Sequence, residues 1–250
     1  MKQAEASLHT TKCFCNGAVT SWFKVLSSFN VSPRGQDPAS ERHHCRNTNV
    51  VGNLSMKFTD KHTDFEDTCR QMFVGQVIRK VIYGELKYFS NEAGENINPE
   101  PYYKTKHSDI DTLDHSIYFK TDNQTIYVYW DNTFVSYGLS SKLIEFNDRT
   151  NDYEQKWDVS DQAKWINVIG QKIVDFKIDW VESWTSDLDG SNKVTFIYPQ
   201  AFLLTTDNSE KIIISASEFK RDNEDEIYGL TDNILVTTNL QLAKKLKLIE

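Results

Sequence analysis

The stretch Ile117-Tyr-Phe-Lys-Thr-Asp-Asn-Gln-Thr-Ile-Tyr-Val-Tyr129 restricts this chain more than any other. Two arms rich in aromatic and β-branched residues flank Asp122-Asn123, the pattern of a β-hairpin closed by a tight polar turn. A looser version returns as Phe202-Leu-Leu-Thr-Thr-Asp-Asn-Ser-Glu-Lys-Ile-Ile-Ile214. Two further short matches keep the same order. Val74-Gly75-Gln76 is echoed by Ile169-Gly170-Gln171, and Tyr137-Gly-Leu139 by Tyr228-Gly-Leu230. Turns draw on few residue types, so each match alone is weak, but the shared order suggests a diverged tandem duplication.

Helical signals precede each hairpin. Thr63-Asp-Phe-Glu66 has the form of a capping box, after which Phe65, Cys69, Met72 and Phe73 fall on one helical face. Gly75 then ends the helix where the backbone must turn left-handed. Ser160 is expected to cap a second, shorter helix carrying Ala163, Trp165, Ile166 and Ile169. In the following strand Val174, Phe176, Ile178, Trp180 and Trp184 share one side, and Asp175, Lys177, Asp179 and Ser183 the other. This period of two means one buried and one wet face. Asn239 caps a C-terminal helix with Leu242, Ala243 and Leu246 inward and Lys244, Lys245 and Lys247 near its favourable end.

The fold class is therefore α+β: a mainly antiparallel, curved sheet from two similar helix–strand–hairpin halves, with a short C-terminal helix. The halves span 56–150 and 151–250 within one compact unit. Residues 1–55 show no sustained period and read as disordered, or as an extension upstream of a true start at Met56.

Bulk properties narrow the function. The chain has 250 residues, a formal net charge of −8 and a pI near 5.3. That charge disfavours general nucleic-acid binding and suits a basic protein partner. No apolar run approaches a membrane span, which argues against a membrane protein. Of the 4 cysteines, Cys13, Cys15 and Cys45 lie in the leader, so disulfides do not hold the body together. A reducing, cytoplasmic location is expected.

Motifs for chemistry are sparse. In His107-Ser-Asp-Ile-Asp-Thr-Leu-Asp-His115 an extended backbone would project His107, Asp109 and Asp111 to one side, with Asp114 and His115 completing a metal site. The plainer reading, a solvated polar loop, is preferred because the spacing matches no established ligand pattern. Asp187-Leu-Asp-Gly-Ser-Asn192 resembles the start of a calcium loop but has Tyr198 where the closing Glu belongs, so it reads as a turn. The histidines and cysteines of the leader (His9, Cys13, Cys15, His43, His44, Cys45) are irregularly spaced. There is no phosphate-cradling Gly-rich loop, nucleophile elbow or His-Glu-x-x-His, and Cys69 reads as a core residue. No cofactor is expected.

Aromatic residues beside carboxylates remain. Tyr102, Tyr103, Trp130, Asp131 and Tyr137 are the expected binding residues, anchoring by burial and selecting by charge. The expectation is a non-catalytic, acidic protein-binding module, in concrete form an immunity-type inhibitor of a bacterial toxin. The competing reading is an enzyme or small-ligand-binding protein with its site between the two halves, and a third is a subunit of a larger assembly. A polar cavity between the halves would favour the second, and a large exposed apolar patch the third.

Overall fold

The computed structural model describes residues 13–15, 18–20, 58–145, 153–187, 190–221 and 223–249. In the leader, β1 (Cys13–Cys15) and β2 (Ala18–Thr20) pair antiparallel. The rest of the leader lies outside the described residues. The body continues as α1 (Asp60–Phe73), β3 (Lys80–Leu86), β4 (Phe89–Ser90), β5 (Asn96–Ile97), β6 (Ile110–Leu113), β7 (Ser116–Lys120), β8 (Thr125–Asp131) and β9 (Gly138–Ile144). It closes with β10 (Glu154–Asp158), α2 (Ala163–Ile166), β11 (Ile173–Thr185), β12 (Val194–Thr206), β13 (Lys211–Lys220), β14 (Asn223–Thr237) and α3 (Leu240–Lys245). The α+β class holds, with mostly antiparallel strands and a short C-terminal helix.

Not one sheet but two carry the fold, in the orders β10-β3-β7-β8-β9 and β11-β12-β13-β14-β6. Each contains a four-strand antiparallel meander preceded by a helix, continuous as β11–β14 in the second sheet and interrupted between β3 and β7 by β4, β5 and β6 in the first. Both hairpins form where the sequence places them: Thr121 N donates to Gln124 O at 2.9 Å, and Thr206 N to Glu210 O at 3.0 Å. The edge strands are exchanged. β6 lies early in the chain yet pairs with β14, while β10 follows the first meander and returns to pair with β3.

The two sheets share one apolar core. Val81, Tyr83, Ile117, Phe119 and Val128 from the first meet Phe176, Phe202, Leu204, Ile214 and Val236 from the second. α1 contributes Cys69 and Phe73, and Phe73 stacks on Phe176 with ring centroids 5.0 Å apart. The helix is also tied to β11 by Arg70, whose Nη1 lies 2.8 Å from Asp175 Oδ1, and by Trp180, whose Nε1 donates to Glu66 Oε2 at 3.0 Å. A second cluster covers the other face of the second sheet. There Ile110, Ala201, Ile213 and Leu235 pack under Ala243, Leu246, Leu248 and Ile249.

Several local expectations need correction. α1 begins four residues before the expected capping box, with Thr59 as N-cap. Thr59 N donates to His62 Nδ1 at 3.0 Å, so a histidine does the work of the box's Glu. Gln162, not Ser160, stands at the N-cap position of α2, without a side-chain cap bond, and Ser160 Oγ instead accepts from Val81 N at 3.0 Å across the sheet edge. Ile166 consequently points outward at 61% exposure, while Trp165 is buried. A register shift between Ile173 and Asp175 turns Val174 out of the core face that Phe176, Ile178 and Trp180 occupy. Asn239 caps α3 as expected, accepting from Leu242 N at 3.0 Å.

The two Gly-Gln turns face each other. Gly75 N donates to Ile173 O at 2.8 Å and Gly170 N to Ile78 O at 2.7 Å. Ile78 N reaches Gln171 O at 3.0 Å and Ile173 N reaches Gln76 O at 2.9 Å. Both glycines sit in left-handed backbone, at φ +89 and +85, with open space where a Cβ would go. Replacing either by Ala therefore introduces conformational strain and no clash, costing about 1–2 kcal/mol. Chemical denaturation of Gly75→Ala and Gly170→Ala should show similar losses. A neutral outcome at either position would mean that the turns are not held in this conformation.

Candidate functional site

Acidic and aromatic side chains converge where β6 turns into β7. Asp114, in that turn, accepts from Leu86 N at 3.2 Å and from Tyr102 OH at 2.7 Å. Tyr102 OH also lies 2.8 Å from Leu86 O, so one hydroxyl ties the 98–103 loop to both. Tyr88 is electrostatically coupled to the same carboxylate, stands 59% exposed, and has its ring 6.0 Å from that of Tyr102. Trp130 Nε1 donates to Asp114 O at 3.4 Å, and Tyr137 meets Trp130 edge-on at 5.1 Å.

The opposite wall comes from β14. Its register against β13 jumps from Gly229 to Ile234, so residues 230–233 bulge out and Leu230 takes φ +59. The bulge carries Asp232, half-buried and electrostatically coupled to Asp114 and to Tyr137. Among the described residues neither Asp114 nor Asp232 is ion-paired with a lysine or arginine.

These two carboxyls belong to a chain of four. Burial raises Asp114, offset by Tyr102 and Leu86; burial and then Asp114 raise Asp232; burial and then Asp232 raise Glu218. Glu85, fully buried, is pushed up to about 7 by burial, with Asp114 adding to it. Its hydrogen bonds from Trp157 Nε1 at 2.5 Å and Tyr102 N at 3.0 Å pull the other way. Tyr102 and Tyr88 are themselves raised by burial and by Asp114. Asp114 and Asp232 thus form a pair of carboxyls with no lysine or arginine partner among the described residues, lined by aromatic rings and suited to accept a cation that would favour their charged forms.

Three of the expected binding residues help to build this cup: Tyr102, Trp130 and Tyr137. Tyr103 does not. It is 4% exposed, its ring packs on Tyr83 at 5.0 Å, and its hydroxyl accepts from Gln162 Nε2 at 2.7 Å. Asp131 instead holds a turn, accepting from Thr133 N and Thr133 Oγ1, each at 2.8 Å. Tyr88, Glu85 and Asp232 escaped sequence reasoning. A signal for Asp232 existed, since Thr231-Asp-Asn233 is a third copy of the Thr-Asp-Asn of both hairpins.

The metal candidates are dispersed. His107 stacks on Phe219 at 5.3 Å, and Asp109 Oδ2 accepts from Asn239 Nδ2 at 2.8 Å. Asp111 is buried, 2.6 Å from Lys164 Nζ and accepting from Tyr83 OH at 2.8 Å, so it is already paired. His115 lies 2.7 Å from Glu154 Oε1, a buried carboxylate that also accepts from Ser116 Oγ at 2.6 Å and from Tyr118 OH. This serine donates directly to the carboxylate and is itself fully buried, so the trio is not arranged as a nucleophile and base. Among the described residues no three His, Cys, Asp or Glu side chains are grouped to hold a metal ion. Cys69 is buried, with its thiol pushed up to about 11 by burial, as a core residue would be. No helix among the described residues is long and apolar enough to cross a membrane.

Comparison with known proteins adds no relative: the chain matches no protein-family model, no curated protein and no solved structure.

Glu85 makes the electrostatics measurable. Its folded-state carboxyl lies near 7 against an ordinary value of 4.5, so it favours folding below pH 4.5 and that contribution is lost as pH rises through 7. Its share is on the order of 2 kcal/mol. Urea denaturation across this window should show a flatter stability profile for Glu85→Gln than for the parent chain. Parallel profiles would mean that Glu85 titrates normally.

Proposed function

We propose that the chain is a non-catalytic binding module whose cup receives a basic side chain of a protein partner. The carrying observation is Asp114 and Asp232, mutually repelling, half-buried and walled by Tyr88, Tyr102, Trp130 and Tyr137. An incoming guanidinium or ammonium would relieve that repulsion and lie against the aromatic faces. Exposed Tyr88 and Phe89 beside the cup supply apolar area that excludes water around such a contact. An inhibitor that protects its host from a basic toxin is the concrete form of this reading, and a cytoplasmic location goes with it. The competing reading, a ligand site deep between the halves, gains no support at the shared core, which is filled by Phe73, Phe119, Trp165, Phe176 and Phe202, whereas the cup lies at the margin where the halves meet.

We also infer that the two meanders are diverged copies of one ancestral unit. The reciprocal hydrogen bonds of the Gly75 and Gly170 turns and the equivalent helix-then-meander order support this. A rotation carrying Gly75 onto Gly170 should bring the turn at Thr121 onto that at Thr206. Unrelated rotations for the two pairs would reduce the matches to shared turn chemistry.

The binding reading predicts opposite effects from one substitution. Asp232→Asn removes repulsion, so the isolated protein should gain about 1 kcal/mol in chemical denaturation. The same variant should lose affinity for the native partner, or for an arginine-rich peptide as probe, by roughly tenfold or more. Association of the parent chain should slow as salt rises, while Trp130→Ala should mainly speed dissociation. An unchanged affinity for Asp232→Asn would remove the cup from the interface.

A further inference from the structure

A basic cleft lies on the opposite face of the second sheet from the shared core, in a chain whose net charge is −8. It consists of two cavities that meet at Lys220. One, of about 440 Å³, is lined by Lys104, Lys106, Lys220 and Arg221 together with Thr112 and Asn233. The other, of about 480 Å³, is lined by Lys245 and Lys247, by Asp225 and Glu226, and by the apolar Val181, Ile227 and Leu246. Both volumes fall in the range of small-molecule sites.

The floor of the larger cavity is built and rigid. Tyr198 and Gln200 are 3% and 5% exposed. Tyr198 OH donates to Gln200 Oε1, and Gln200 Nε2 reaches Ser217 Oγ at 2.6 Å, Ala216 O at 2.8 Å and Ser215 Oγ at 2.9 Å. Gly229 is what keeps this floor open. A Cβ there would stand 2.6 Å from Gln200 Oε1 and 2.9 Å from Tyr198 OH.

Acidic residues satisfy only part of the positive charge. Glu226 pairs with Lys220, and Asp225 lies 3.5 Å from Lys106 and 3.7 Å from His107. Glu218, which lines the smaller cavity, accepts from Asn233 Nδ2 at 2.7 Å. Among the described residues Lys104, Arg221, Lys245 and Lys247 make no ion pair within 4.0 Å, though Arg221 is electrostatically coupled to Glu218 and Lys247 to Glu226. A guanidinium among several ammoniums suits a tetrahedral dianion better than a single carboxylate. The apolar walls next door suit an uncharged body attached to it.

We propose that the paired cavities bind a small organic phosphate, with its phosphate among Lys104, Lys106, Lys220 and Arg221 and its body against Val181, Ile227 and Leu246. This site borders the acidic cup through Glu218 and Asn233, but its argument rests on the cavities and their cations and not on the cup.

Calorimetric titration of the full chain at fixed ionic strength tests it, with phenyl phosphate as probe and phenol and inorganic phosphate as controls. Phenyl phosphate should bind saturably, inorganic phosphate more weakly, and phenol not at all. Arg221→Gln and Lys245→Gln change exposed side chains and should leave the fold intact by circular dichroism. The first should weaken phenyl phosphate roughly tenfold or more, and the second less. Absence of saturable binding, or equal affinity in Arg221→Gln, would overturn the proposal. So would tight binding of a single-stranded oligonucleotide without binding of phenyl phosphate, which would make the cleft part of an extended nucleic-acid surface.

Discussion

The architecture depends on two short backbone segments, 75–78 and 170–173, hydrogen-bonded to each other in both directions. Each segment leaves a helix and enters the first strand of a meander, so their pairing fixes where both sheets begin. Once they are paired, Phe73 at the end of α1 is held against Phe176 at the start of β11. The shared core then fills from that point outward, because each sheet has one apolar face and only the other sheet can cover it. α3 and the residues after it perform a separate task, sealing the far side of the second sheet.

The same packing that buries the core also withdraws water from carboxylates at its margin. Glu85, Asp114, Asp232 and Glu218 are all raised, and in every case burial is the largest cause. Neighbouring Asp111 and Glu154 show that this fold can neutralise a buried acid when one is structural: the former has Lys164, the latter His115 with two hydroxyls. The contrast separates acids that serve the fold from acids held at a cost to it. Charge left unpaired in this way is a common property of binding surfaces, where stability is exchanged for affinity.

Much of the fold was legible because local chemistry and global packing agree. The hairpin at Asp122-Asn123, the glycine stops at Gly75 and Gly170 and the cap at Asn239 all form as their residues demand. What failed was whatever depended on distant partners. β10 has no clean alternation and exists because β3 offers a free edge, and the four residues of β6 are recruited by β14. Tyr103 shares the binding expectation of Tyr102, yet adjacent residues in extended backbone point to opposite sides, and Tyr103 faces Tyr83. The cup was half visible for a similar reason. Trp130 and Tyr137 are near in sequence, whereas Asp232 arrives through a bulge that no periodicity announces.

The exchange of edge strands carries a consequence for synthesis. During translation the first meander can emerge complete, but its outer edge stays open until β10 appears, and β6 must wait for β14, some 120 residues further on. An uncovered strand edge at the ribosome is an invitation to pair with a neighbouring nascent chain. Lys80 and Lys120, facing each other across β3 and β7, place like charges next to that waiting edge. They guard the vacant position until Asp158 arrives to pair with Lys80 at 2.9 Å and closes it.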